Sequence, residues 1–93
     1  MNIDRNTVTV ITGAGSGIGR ATAIRLAQAG SALAISDVNA QGLEETAAAA
    51  RAFGVKVTTH IVDVSDKEGM QAFAAEVERE HGRVSILDRK SVV

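Results

Sequence analysis

Apolar and polar positions fall along this chain in blocks that read alternately as strand and helix. Thr7-Val8-Thr9-Val10-Ile11-Thr12 is a β-branched run that halts at a glycine cluster, the composition of a buried parallel strand. Ile18 to Ala29 is small, apolar and alanine-rich, with Arg20 and Arg25 as its charges, and Gly30 offers a left-handed stop. Such a helix can lie close against a sheet. Ala32-Leu33-Ala34-Ile35-Ser36 is a second apolar run that closes on Asp37. Asn39 then stands as N-cap of a helix from about Ala40 to Phe53, with Leu43, Ala47 and Ala50 on one face and Gly54 at its end.

The second half repeats the alternation. Val55 to Val62 reads as a third strand finishing at Asp63-Val64, and Ser65-Asp66-Lys67-Glu68 reads as a capping box. Met70, Phe73, Ala74 and Val77 recur at helical spacing, so a helix runs to about His81 and stops at Gly82; a fourth strand begins at Val84. The order β-α-β-α-β-α-β with short connections predicts an α/β fold, a doubly wound parallel sheet that is incomplete, with right-handed crossovers and helices on both faces. Strand order 3-2-1-4 is expected. No repeat at solenoid periods, no proline and no low-complexity linker interrupts it, so residues 1–87 read as one half-domain, followed by a tail at 88–93.

Composition narrows the function classes. With 93 residues, 45% hydrophobic and 23% charged, the chain is an ordinary globular one of at most one domain. Ten basic against eleven acidic side chains leave no electrostatic footprint for nucleic acid. Zero cysteines exclude disulfides, thiolate metal sites and iron–sulfur clusters. The polar start, followed by only a short apolar run, predicts neither a signal peptide nor a spanning helix; a soluble protein with no membrane partner is expected, cytoplasmic by default. Tyrosine is also absent, which removes any mechanism that needs a phenol as acid or base.

The chemistry is carried by Gly13, Gly15, Gly17 and Gly19, which lie between the first strand and the first helix. There, backbone N–H groups and the positive end of a helix dipole converge on an anion, and glycine lets a pyrophosphate approach the main chain. A nucleoside-triphosphate loop would need a Gly-Lys-Ser/Thr ending, and no lysine follows these glycines. Gly-x-Gly-x-x-Gly also fails in strict register, because its third glycine would fall on Ile18 or Arg20. The spacing that fits is Thr12-Gly13-x-x-x-Gly17-x-Gly19. A carboxylate is then required at the end of the second strand, about 20 residues on, to accept hydrogen bonds from ribose hydroxyls, and Asp37 stands there.

In these residues the chain resembles the short-chain dehydrogenase/reductase family, whose cofactor loop often reads much like Thr12-Gly13-Ala14-Gly15-Ser16-Gly17-Ile18-Gly19-Arg20. The resemblance covers roughly the first 87 residues. It implies a Rossmann-type fold, a dinucleotide cofactor and hydride transfer between nicotinamide and a carbonyl or alcohol substrate. It places Gly13, Ser16, Gly17, Ile18 and Gly19 against the cofactor, and Asp63 and Val64 beside the adenine. NAD is expected over NADP, since a 2′-phosphate would meet like charge at Asp37 and neither Ser16 nor Val38 is basic.

The pattern breaks after Leu87. Where the family continues with Asn-Asn-Ala-Gly, this chain holds Arg89, Lys90, Ser91 and Val92, and the later Tyr-x-x-x-Lys of the family has no counterpart. The expectation is a truncated or frameshifted reading of a dehydrogenase, inactive alone, with catalytic residues absent and an open sheet edge prone to self-association. Two alternatives stay open: a non-catalytic dinucleotide-binding module, and a fragment of an adenosylmethionine-dependent methyltransferase, against which Thr12 stands where an acid is usual. His60 and His81, on separate elements without a ligand companion, read as structural. Glu76 to Glu80 reads as a solvated helix face, and Met70 with Phe73 as core.

Overall fold

A computed structural model describes residues 7–82. The elements run β1 (Val8–Thr12), α1 (Gly17–Gln28), β2 (Ala32–Asp37), α2 (Ala40–Arg51), β3 (Val57–Ile61) and α3 (Lys67–His81). The strands are parallel and ordered β1-β2-β3, with Val10 opposite Ala34 and Ala34 opposite Thr58. Read from the other edge this is 3-2-1; the expected fourth strand and the 88–93 tail lie outside the described residues.

Side chains alternate across the sheet, and each face buries its own helices. Ile11, Leu33, Ile35 and Val57 meet Ala23 and Ala27 of α1 and Leu43, Ala47 and Ala50 of α2. Val10, Ala34 and Val62 meet Phe73 and Val77 of α3, with Met70 half-buried at the margin. β2 lies in the middle, and its Leu33, Ala34 and Ile35 are fully buried, which accounts for the unbroken apolar run there. α1 turns Gly19, Ala23 and Ala27 inward at intervals of one turn, and so small a face brings the helix close to the sheet.

Several boundaries differ from the sequence reading. β3 starts at Val57 and stops at Ile61, because a strand extends only as far as its partner, and its register ends at the Asp37–Ile61 pair. Asp63 and Val64 therefore sit in the turn beyond the strand. α2 ends at Arg51, two residues before Phe53. The N-cap of α3 is Asp66, not Ser65: the Asp66 side chain accepts the Glu68 amide at 3.1 Å. Ser65 instead donates its amide (2.9 Å) and its hydroxyl (2.7 Å) to Asp63 Oδ1. Ala74 is exposed, so the buried face of α3 is carried by Phe73 and Val77. Asn39 caps α2 as expected, its Oδ1 accepting the Gly42 amide at 3.1 Å.

Candidate functional site

The carboxyl ends of β1 and β2 bring the glycine loop and Asp37 together. The chain leaves β1 through Gly13, which has φ 67°, and enters α1 at Gly17, with φ 60°; at both positions a side chain would be strained. The Ala14 amide donates to Ser36 O at 3.0 Å, the end of the β2 strand. The next amide, Gly15 N–H, donates to Asp37 Oδ2 at 2.8 Å. Asp37 Oδ1 accepts the Asn39 amide at 3.0 Å. That Asn39 bond, joined by the amides of Gly15 and Val38, holds the Asp37 carboxyl below its usual range despite partial burial, so it is ionised at neutral pH.

The three helices begin differently. Asn39 and Asp66 cap α2 and α3 with their side chains, whereas Ser16 at the start of α1 makes no side-chain cap. The first amides of α1 thus open on the glycine loop, where an anion is favoured by the N–H groups and the dipole together. Ile18 (77% exposed), Val38 (64%) and Val64 (60%) project from the loops and first helical turn at this end of the sheet. Asp63 is exposed and its carboxyl is lowered by the Ser65 amide and hydroxyl. The structure therefore brings Gly13, Ser16, Gly17, Ile18, Gly19 and Asp37 to one end, with Asp63 and Val64 on the turn that follows Val62, whose amide reaches Asp37 O at 3.2 Å. An ionised carboxylate beside an uncapped helix start is a donor and acceptor set that fits a ribose and a pyrophosphate.

Two polar groupings escaped the sequence reading. Arg20, in α1, reaches from the loop to α2: its Nε donates to Thr46 Oγ1 at 2.9 Å and its Nη2 to Gly42 O at 3.1 Å, to Gly15 O, and to Glu45 Oε1 at 3.2 Å. The available signal was a cation near the amino end of a helix, where the dipole disfavours it unless it has partners. The second grouping joins β3 and α3. Thr58 Oγ1 lies 2.8 Å from His60 Nε2 and 2.7 Å from His81 Nε2, and His60 Nδ1 lies 2.7 Å from Glu76 Oε1. The His60 ring, buried, packs on Phe73 at 5.0 Å between centroids. Glu76 is accordingly not a purely solvated side chain, and the two histidines, separate in sequence, share one hydroxyl. Burial, with the charges of Lys56 and His60, lowers the His81 pKa to about 4. A cavity of about 350 Å³ opens beside this cluster, between β3 and α3, and none of its lining residues belongs to the glycine loop. Among the described residues no group of three His, Cys, Asp or Glu side chains is placed to hold a metal, and no helix is long and apolar enough to cross a membrane.

Three parallel strands wound on both faces, with a glycine loop and an acid at their carboxyl ends, make a partial Rossmann fold of nucleotide-binding type. The sequence matches the short chain dehydrogenase profile over residues 7–89, and the chain belongs to that family. It is 49% identical over 80 residues to "Estradiol 17-beta-dehydrogenase 11" of Homo sapiens, a match covering 86% of this chain and 27% of that protein. Among solved structures it resembles an NAD+-bound xylitol dehydrogenase (TM-score 0.85, 35% identity, 91% of this chain and 32% of that one). A short chain dehydrogenase/reductase from Burkholderia phymatum in complex with NAD is similar too (TM-score 0.84, 39% identity, 90% of this chain and 30% of that one). The chain thus spans about a third or less of the length of these relatives.

Proposed function

We propose that this chain forms the adenine side of the NAD site of a short-chain dehydrogenase and binds the dinucleotide without turning over substrate by itself. The observation that carries the reading is the Asp37 carboxylate, ionised and held 2.8 Å from the Gly15 amide at the mouth of the glycine loop. The amides of Gly15, Val38 and Asn39 meet this carboxylate, and of its about four acceptor positions one is left for a ribose hydroxyl. The pyrophosphate is assigned to the uncapped start of α1, over Gly13, Ser16, Gly17, Ile18 and Gly19. The adenine is assigned to the neighbourhood of Val64 and Asp63, whose Oδ1 is engaged by Ser65 and leaves Oδ2 for an exocyclic amine.

Asp37 also argues for NAD over NADP, since a 2′-phosphate would bring negative charge against a carboxylate in the ribose position. A bound nicotinamide supplies hydride exchange with a carbonyl or alcohol carbon. The accompanying proton has no phenol here to carry it, because the 93 residues contain no tyrosine. Catalysis is therefore assigned to sequence of the kind that fills the remaining two thirds of the relatives.

Titrating NADH and NADPH onto the chain tests this directly. NADH should bind more tightly than NADPH, and Asp37→Ala should weaken NADH by about tenfold or more, as expected for losing charged hydrogen bonds. An adenosylmethionine titration run alongside should show no saturation. Absence of NADH binding, or NADPH binding equally well to the unsubstituted chain, overturns the reading.

A further inference from the structure

Gly15 is gripped at both ends of its residue. Its N–H donates to Asp37 Oδ2 at 2.8 Å, and its C=O accepts from Arg20 Nη2. The same Nη2 binds the Gly42 carbonyl at 3.1 Å, so one guanidinium nitrogen bridges two carbonyls from different elements, the loop and the first turn of α2. The approach of those two segments is close: a methyl on Gly42 would stand 2.5 Å from Gly15 O, and one on Gly15 would stand 2.8 Å from Asp37 Oδ2. The two carbonyl oxygens that meet at Nη2 would repel without a donor between them, and the planar fork of arginine offers several donors at fixed spacing. The second arm of the fork completes the arrangement. Arg20 Nε donates to Thr46 Oγ1 at 2.9 Å, and the Thr46 hydroxyl, fully buried, donates to Ala14 O at 2.7 Å. Arg20 thereby fixes the carbonyls of both Ala14 and Gly15, one through Thr46 and one directly.

We infer that Arg20 is a positioning residue for the dinucleotide: it holds the peptide groups on both sides of Gly15, one directly and one through Thr46, and so aims the Asp37 carboxylate, without touching the ligand itself. This rests on the dinucleotide reading above and deepens it, by assigning the rigidity of the ribose-binding carboxylate to a side chain on α1. The ion pair with Glu45, whose side chain is 56% exposed, is incidental to it, because exposed pairs contribute little.

Two measurements on the full chain, one with ligand and one without, separate the possibilities. In the ligand-free protein the Gly15 amide resonance should shift as Asp37 titrates, and Arg20→Ala should abolish that response and the protection of the amide from hydrogen exchange. NADH affinity should fall by about tenfold or more in the same variant. Arg20→Lys keeps the charge and most of the bulk if the alanine variant fails to fold, and it should recover only part of both signals, lacking the fork. Glu45→Gln should leave both unchanged. Wild-type amide behaviour and wild-type affinity in Arg20→Ala, full recovery in Arg20→Lys, or an equal loss in Glu45→Gln each overturn the role. If the unsubstituted chain binds no NADH while its Gly15 amide still depends on Arg20, the dinucleotide reading has failed and takes the positioning role with it. If NADH binds and neither signal depends on Arg20, only the positioning role is lost.

Discussion

Individual side chains at the site act through where their protons and charges sit. Asp37 was legible in the sequence because its role depends on one strand's end and a fixed distance from the glycines. Asp63 was legible only as one of two uses, and the structure shows its Oδ1 engaged by Ser65 in steadying the entry to α3. His81 was legible only as a structural residue, since its surroundings come from β3, 23 residues away at Thr58. Its lowered pKa has a consequence for stability. The unfolded chain takes up a proton near the ordinary histidine value of 6.5, whereas the folded chain resists it down to about 4. Between those values the unfolded state binds more protons, so stability falls as pH drops through that window. Urea midpoints at about pH 7 and about pH 4.5 should differ in the native chain, and less in His81→Gln. An equal difference in both would remove His81 as the cause. Asp37 and Asp63, with lowered carboxyls, contribute in the same direction only at more acid pH.

Elements reflect a compromise between local pattern and neighbours. The alanine-rich α1 and the Asn39-capped α2 follow from short-range signals, a small-residue face in one and a side-chain cap in the other. Where the pattern misjudged an end, a partner decided it. Val55 and Lys56 have strand composition but precede the register with β2, and Ser65 has cap chemistry but spends its hydroxyl on Asp63. α1 fits closely against the glycine loop. A methyl at Gly19 would lie 2.1 Å from Gly13 O, a backbone atom that cannot swing aside. Gly19→Ala should therefore cost about 1–3 kcal/mol, as overpacking does, and displace the start of α1 from the loop. Chemical denaturation gives the first quantity and NADH titration the second. A variant as stable as the parent, with unchanged binding, would mean that the helix has room to shift.

Among the described residues, stability rests on two modest cores, one on each face of a three-stranded sheet. The larger is built mostly of alanine and β-branched residues around Leu43, which is fully buried. Leu43→Ala should cost about 2–5 kcal/mol through lost burial and the cavity left behind. Native domains hold only about 5–15 kcal/mol in total, and small ones sit at the low end. The variant should consequently lose its cooperative urea transition, seen by far-ultraviolet circular dichroism; a sharp transition near the parental midpoint would show that neighbouring side chains collapse into the gap.

Local order along the chain was enough to determine the alternation of strands and helices, the loop type and the acid that answers it, because each depends on residues within a turn, a strand or one crossover. The rest required distant segments to meet. Arg20 and Thr46 are 26 residues apart, Thr46 and Ala14 are 32 apart, and Glu76 lies 16 from His60. Their contacts are set by strand register and by how closely glycine and alanine faces let the helices approach, and neither quantity is encoded in the spacing of any one segment. Tertiary packing alone made a loop clamp of Arg20, and it alone gathered His60, His81 and Glu76 around Thr58.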